Sequence, residues 1–122
     1  MKSFIAWTCT LLLLAGCGPD PVKLDYAEYD IPTLQGLMER GELSSVELTQ
    51  YYLQSIAVVD RAGPELNSII EINPDALEIA SALDEERKAT GPRGPMHGIP
   101  VVLKANIDTA DQMTTTAGSL AL

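Results

Sequence analysis

Gly94-Pro95-Met96-His97-Gly98-Ile99-Pro100-Val101-Val102-Leu103-Lys104-Ala105-Asn106-Ile107-Asp108 is the stretch on which the reading of this chain turns. Glycines and prolines punctuate its start and lead into a short apolar run, Ile99 to Leu103. A run of that length bounded by turn formers reads as a buried strand of the parallel-sheet kind. It closes on a cation, Lys104. A lysine placed directly after three apolar residues either extends its head into water from a strand end or stands at the mouth of a sheet, where open α/β folds collect ligands. The local pattern alone favours the solvated head, and the wider sequence shifts that balance.

The run GPMHGIPVVLKANIDTADQMTTTAGSLAL, residues 94–122, resembles the N-terminal part of the amidase signature family. Members of that family carry G-P-L-H-G-I-P-V-x-x-K-D-N-I followed by a T-T-x-G-S stretch. The similarity extends upstream through the Asp75-Ala76-Leu77 to Leu83-Asp84 segment and the Ser44 to Thr49 helix start, so it covers about Ile31 to Leu122. It implies that Lys104 is the far end of a Ser, cis-Ser, Lys catalytic triad acting on a small-molecule amide, with no metal or other cofactor. Thr115, Thr116, Gly118 and Ser119, in the Thr/Gly/Ser stretch, become candidates for lining the substrate site. The same stretch also reads as a loop-to-helix turn with capping hydroxyls. Two positions depart from the family wording. Met96 replaces leucine, a volume-conserving swap. Ala105 replaces an aspartate, removing a carboxylate beside Lys104.

To act as a base toward a serine, the lysine must be neutral, so its pKa has to fall well below the ordinary value of about 10.4. Desolvation does this by disfavouring the ammonium, and Val102 and Leu103 are suitable walls if later parts of the fold close over them. In the scheme the resemblance implies, the neutral lysine deprotonates the cis-serine. That serine relays to the nucleophile attacking the amide carbonyl, and water hydrolyses the acyl-enzyme. His97 is the single histidine, and a lone histidine in a turn between glycines is usually structural. The implied triad contains no histidine, so His97 receives no catalytic role. Asn106 and Asp108 are candidates for holding the loop after the strand. The sequence shows no Gly-x-Ser-x-Gly elbow, no metal-ligand spacing and no phosphate-cradling glycine loop.

Composition narrows the partners. The 122 residues are 46% hydrophobic and carry a formal charge of -9, an ordinary globular balance with an acidic bias. Eight scattered basic residues face seventeen acids, which argues against nucleic acid, because a phosphate backbone calls for clustered Lys and Arg.

Residues 1–16 read as an export signal: Lys2 is the positive start, Phe4 to Leu14 the apolar core, and Ala15-Gly16 the small residues before a cut. Leu14-Ala15-Gly16-Cys17 further resembles the bacterial lipobox, which makes Cys17 the lipidated first residue of a membrane-anchored lipoprotein of the cell envelope. Cleavage removes Cys9, and lipidation occupies Cys17, so the mature chain holds no thiol for a disulfide. Residues 17–30, opening Gly18-Pro19-Asp20-Pro21, read as a tether, and 31–122 as the N-terminal portion of an amidase domain.

Within that portion, Leu34, Leu37 and Met38 predict a helix between Thr33 and Arg40. Ser44-Ser45-Val46-Glu47 is a capping-box pattern that opens a longer helix. Its apolar stripe runs Leu48, Tyr51, Tyr52, Ser55, Ile56 and Val59, until Asp60 to Pro64 ends it. Asn67 to Ile72 reads as a strand. Pro74-Asp75 opens another helix with a small-residue face of Ala76, Leu77, Ala80 and Leu83, followed by the charged run Asp84 to Lys88, read as solvent-facing. This order gives an α/β class with helices covering a mixed sheet. Two strands do not make a stable sheet, so the expectation is an incomplete fold. The resemblance implies that the Gly/Ser-rich signature, carrying both serines, lies past Leu122.

Three functions fit. The first is an exported amidase of which these residues supply only the lysine, inactive by themselves. The second is a membrane-anchored binding lipoprotein that grips a carboxylate with Lys104. The third is an amidotransferase-like subunit, disfavoured by the export signal.

Overall fold

The computed structural model describes residues 25–119. The expected signal, Cys17 and most of the tether lie outside those residues. A single 3-10 turn, Tyr26–Glu28, precedes three helices: α1 (Ile31–Glu39), α2 (Ser45–Ser55) and α3 (Ala76–Thr90). α2 runs on through Ile56–Ala62 as a wider π-type coil.

α1 begins two residues before Thr33 because Asp30 is its cap: the Asp30 carboxylate accepts from the Thr33 N–H at 2.9 Å, and Pro32 sits in the first turn. The capping box of α2 forms as the sequence predicts. Ser44 Oγ accepts from Glu47 N–H at 3.1 Å, and Glu47 Oε2 accepts from Ser44 N–H at 2.8 Å. α3 packs on α2, and its Asp84 carboxylate accepts from the Ser45 and Val46 N–H groups at 2.7 and 3.1 Å. A negative charge on the positive end of α2 is electrostatically favourable as well as a hydrogen-bond cap. Leu34, Met38, Leu43 and Leu48 form the buried core, with Tyr26, Tyr29, Leu37, Tyr52 and Ile99 packed around it.

Three expectations are corrected. Neither 67–72 nor 99–103 is a strand, and no sheet occurs among the described residues. A strand exists only when a neighbouring chain pairs its N–H and C=O groups. Here neither segment has such a neighbour among the described residues, and much of their apolar surface is open to solvent, with Ile70 74% and Val102 78% exposed. The charged run of α3 is not wholly solvent-facing, since Asp84 caps α2 and Arg87 turns inward. The apolar stripe of α2 also ends early. Across the wider coil it is Asp60 that is buried, while Val59 is 49% exposed.

Asp60 holds the turn that follows. Its Oδ1 accepts from the Ser68 hydroxyl and N–H at 2.5 and 2.7 Å, and its Oδ2 from Ile69 N–H at 3.3 Å. The Ser68 hydroxyl foremost, with these N–H groups, holds the Asp60 carboxyl below its ordinary pKa. The folded state therefore gains stability from Asp60 above the unfolded carboxylate pKa of about 3.9, and loses it as pH falls through the lower folded value. Denaturant titrations from pH 6 downward should show a smaller acid loss in Asp60→Asn than in the wild type. Parallel curves would remove Asp60 from the acid transition.

Candidate active site

The segment leading to Lys104 starts from a docked loop. Gln35 of α1 donates from Nε2 to the Pro95 and His97 carbonyls, both at 2.9 Å. Arg87 of α3 donates from Nη2 to the same His97 carbonyl at 2.9 Å and to Gln35 Oε1 at 2.7 Å. The His97 ring is buried, with Nε2 2.9 Å from the Leu83 carbonyl and Nδ1 3.3 Å from the Arg93 backbone nitrogen. The backbone N–H at Nδ1 assigns the ring proton to Nε2, which donates to Leu83. His97 is thus a structural residue. An Arg93–Glu86 ion pair, with Nε to Oε1 at 2.5 Å, closes the outside of the loop. Gly98 has φ +76° and lies against the fully buried Ser45.

Beyond Gly98 the chain extends to Lys104. Ile99 packs on the core, whereas Val101, Val102 and Leu103 are 60%, 78% and 46% exposed. Lys104 is exposed, and among the described residues no carboxylate lies within ion-pair distance of its ammonium. The apolar walls that a neutral lysine needs are present in sequence but uncovered.

After Lys104 the chain loops back on itself. The Ala117 N–H donates to the Ala105 carbonyl at 3.0 Å, bringing the Thr/Gly/Ser stretch beside the lysine segment. The candidate substrate residues Thr115, Thr116, Gly118 and Ser119 therefore gather near residue 105. Thr115 Oγ1 donates to Asp108 Oδ1 at 3.0 Å, so Asp108 does hold the loop. The Gly118 N–H donates to Thr116 Oγ1 at 3.4 Å, and the Ser119 N–H donates to the Thr116 carbonyl at 2.7 Å, a turn stabilised from within. Ala117 and Gly118 both adopt positive φ there. Three sets of side-chain links bind this loop to the segment before α3. Glu71 accepts from Thr114 N–H and Oγ1 at 3.0 and 2.7 Å, Asn73 donates to Asp111 at 3.0 Å, and Gln112 donates to Asp75 at 2.6 Å. Sequence reasoning missed Gln35, Glu71 and Arg87. Their partners are 43 to 62 residues away or hidden in a charge run, and no local periodicity marks them. Among the described residues no cluster of His, Cys, Asp or Glu is arranged to hold a metal ion, and no helix is long and apolar enough to cross a membrane.

Comparison with known proteins covers these elements. Residues 47–122 match the family model described as Amidase, which includes most of α2, all of α3, the docked loop and the Lys104 segment. The chain belongs to the amidase signature family. A Schizosaccharomyces pombe protein named as an amidase is 48% identical over 92 residues, 75% of this chain and 15% of that protein. A glutamyl-tRNA(Gln) amidotransferase component from Salinispora tropica is 36% identical over 96 residues, 78% of this chain and 19% of that protein. In three dimensions the chain is similar to native peptide amidase from Stenotrophomonas maltophilia, with TM-score 0.77 and 56% identity over 80% of this chain and 20% of that one. A peptide amidase complexed with the competitive inhibitor chymostatin matches with the same TM-score and identity. The amidase-family chain thus adopts part of the fold of those enzymes, and it spans a fifth or less of the length of each.

Proposed function

We propose that this chain contributes the lysine of a Ser, cis-Ser, Lys amidase that hydrolyses a small carboxamide. The single observation that carries this reading is Lys104 itself. It stands in the family's motif position, within the matched region, on a segment anchored at His97 on one side and at Ala105 on the other. In this reading neutral Lys104 takes the proton of the cis-serine, and the nucleophile thereby activated attacks the amide carbonyl. The Gly/Ser-rich stretch that would carry the two serines is not among these 122 residues, so the 122 residues alone should release no ammonia from amides.

Segments 67–72 and 99–103 become strands of a mixed sheet once paired. Their exposed apolar side chains, and the backbone of residues 100–103, unpaired among the described residues, support that role, since a paired sheet would bury both. The same covering would desolvate Lys104 and favour its neutral form. Identity near 56% to peptide amidases favours amide hydrolysis over transfer to tRNA. Thr115, Thr116, Gly118 and Ser119 line the substrate side of the loop in this scheme. The test is ammonia release from aliphatic, aromatic and peptide amides by the active enzyme carrying this chain, beside its Lys104 variants.

The export signal adds a location: Cys17 is lipidated and holds the domain at a membrane of the cell envelope. Expressed with its own leader in a bacterium that processes lipoproteins, the protein should enter the membrane fraction and incorporate labelled fatty acid. Cys17→Ser should abolish the labelling. Normal labelling of that variant would sink the lipobox assignment.

A further inference from the structure

We propose that Gln35, Arg87 and His97 form a positioning clamp that sets the direction in which residues 99–104 leave the docked loop, and so places the Lys104 ammonium. The inference rests on Lys104 acting as the base.

Four observations carry it. The His97 carbonyl receives two donors at once, Gln35 Nε2 and Arg87 Nη2, each at 2.9 Å. Gln35 and Arg87 are themselves joined at 2.7 Å, and Gln35 also holds the Pro95 carbonyl, so two carbonyls flanking Met96 are fixed by one rigid amide and one planar guanidinium. The donors come from different helices, α1 and α3, which ties the loop to both. The third observation is what lies beyond. After the Ile99 N–H bond to the Met96 carbonyl, residues 100–103 make no backbone-to-backbone hydrogen bond among the described residues. The next anchors are the Lys104 carbonyl with Ile107 N–H and the Ala105 carbonyl with Ala117 N–H. The stretch from His97 to Lys104 reaches up to about 23 Å between the clamp and these anchors, so a rotation at the clamp redirects the whole stretch that carries the lysine.

The fourth observation concerns Arg87 alone. Its Nε and Nη1 are buried with no hydrogen-bond partner among the described residues. Buried donors left without acceptors are unfavourable, so stability is a poor reason to place a guanidinium there. The reach of its Nη2 to the His97 carbonyl and Gln35 Oε1, with Met38 Sδ at 3.4 Å, is a better one.

The experiment uses the active enzyme that carries this chain, with Gln35→Met, Arg87→Met and Arg87→Lys. Turnover is expressed per nucleophile titrated by an acylating inhibitor, and hydrogen exchange is followed at the amides of residues 97–104. A clamp predicts that Gln35→Met and Arg87→Met lower kcat by about 10- to 100-fold per titrated site, with KM changed less than about threefold, because a misplacement near 1 Å is felt in the chemistry. Arg87→Lys, which keeps one donor for the His97 carbonyl, should recover part of that loss. A merely structural role would reduce the titrated fraction and leave kcat per site at the wild-type value, and that result overturns the clamp. If Arg87→Met does not fold, Gln35→Met decides by exchange: faster exchange over 97–104 supports the clamp, and unchanged exchange overturns it. Lys104→Arg run in parallel keeps the two ideas apart. Activity retained there removes the base assignment, while the exchange data still show whether the clamp holds the segment.

Discussion

Lys104→Ala lowers amide turnover by about 10⁴-fold, the upper range for removing a general base, and Lys104→Arg is nearly as damaging. Arginine keeps the positive charge and most of the reach but does not become neutral at working pH, so it cannot accept the proton of a serine. The contrast between the two variants is what matters. A lysine that only grips a carboxylate tolerates arginine with a modest loss of affinity, because the guanidinium binds carboxylates at least as well. Steady-state turnover of carboxamides by wild type and both variants, normalised to titrated sites, therefore separates amidase from binding module. Retention of most activity by Lys104→Arg ends the base reading, whatever the family similarity implies.

Gly98→Ala destabilises the fold by roughly 3 kcal/mol or more, through two penalties that act at one atom. The backbone there has φ +76°, which L side chains rarely adopt, and an added Cβ would lie 2.0 Å from Ser45 Oγ and 3.1 Å from Ser45 Cβ. Ser45 is 0% exposed and stands at the start of α2, beneath the Asp84 cap, so it has nowhere to retreat. Gly41 offers the control. It has φ +69° but nothing within 4 Å of an added Cβ, so alanine there meets backbone strain alone, about 1 to 2 kcal/mol. Ser45 Oγ has no hydrogen-bond partner among the described residues, so Ser45→Ala should be mild by itself. In the double variant it should recover the part of the Gly98→Ala penalty due to Oγ, leaving the 3.1 Å Cβ contact and the backbone part. Chemical denaturation of the four proteins gives the cycle. Additive losses would show that the Ser45 contact is not the cause.

The legible parts of this molecule were those governed by local chemistry. The Ser44/Glu47 capping box, the turn formers around Gly63-Pro64 and the apolar spacing of Leu34 and Met38 each act within a few residues, so their outcome is written beside them. The motif around Lys104 was legible as wording, and the family comparison agrees with it. What could not be read locally was which way a charged residue faces. Arg87 and Asp84 sit in a run that composition marks as surface, yet each turns inward to meet an acceptor or donor supplied by α1, α2 or the 94–98 loop. Asp60 was likewise placed in a helix terminator and proved to be the anchor of the following turn. The strand readings failed for a different reason. Asn67 to Ile72 and Ile99 to Leu103 have strand-like composition, but pairing is a property of two segments, and a segment's own residues do not supply its neighbour.

The two-helix grip on the His97 carbonyl also sets an order of events during synthesis. Gln35 leaves the ribosome 52 residues before Arg87, so α1 and α2 are available early, but the 94–98 loop has no complete seat until α3 has formed. Lys104 follows Arg87 within about one to three seconds at ordinary elongation rates of roughly 5–20 residues per second. Once they emerge, Val101, Val102 and Leu103 are a sticky, unpaired ribbon on the nascent chain. Holding its root against two helices limits the range of that ribbon, and so lowers the chance that it pairs with another chain.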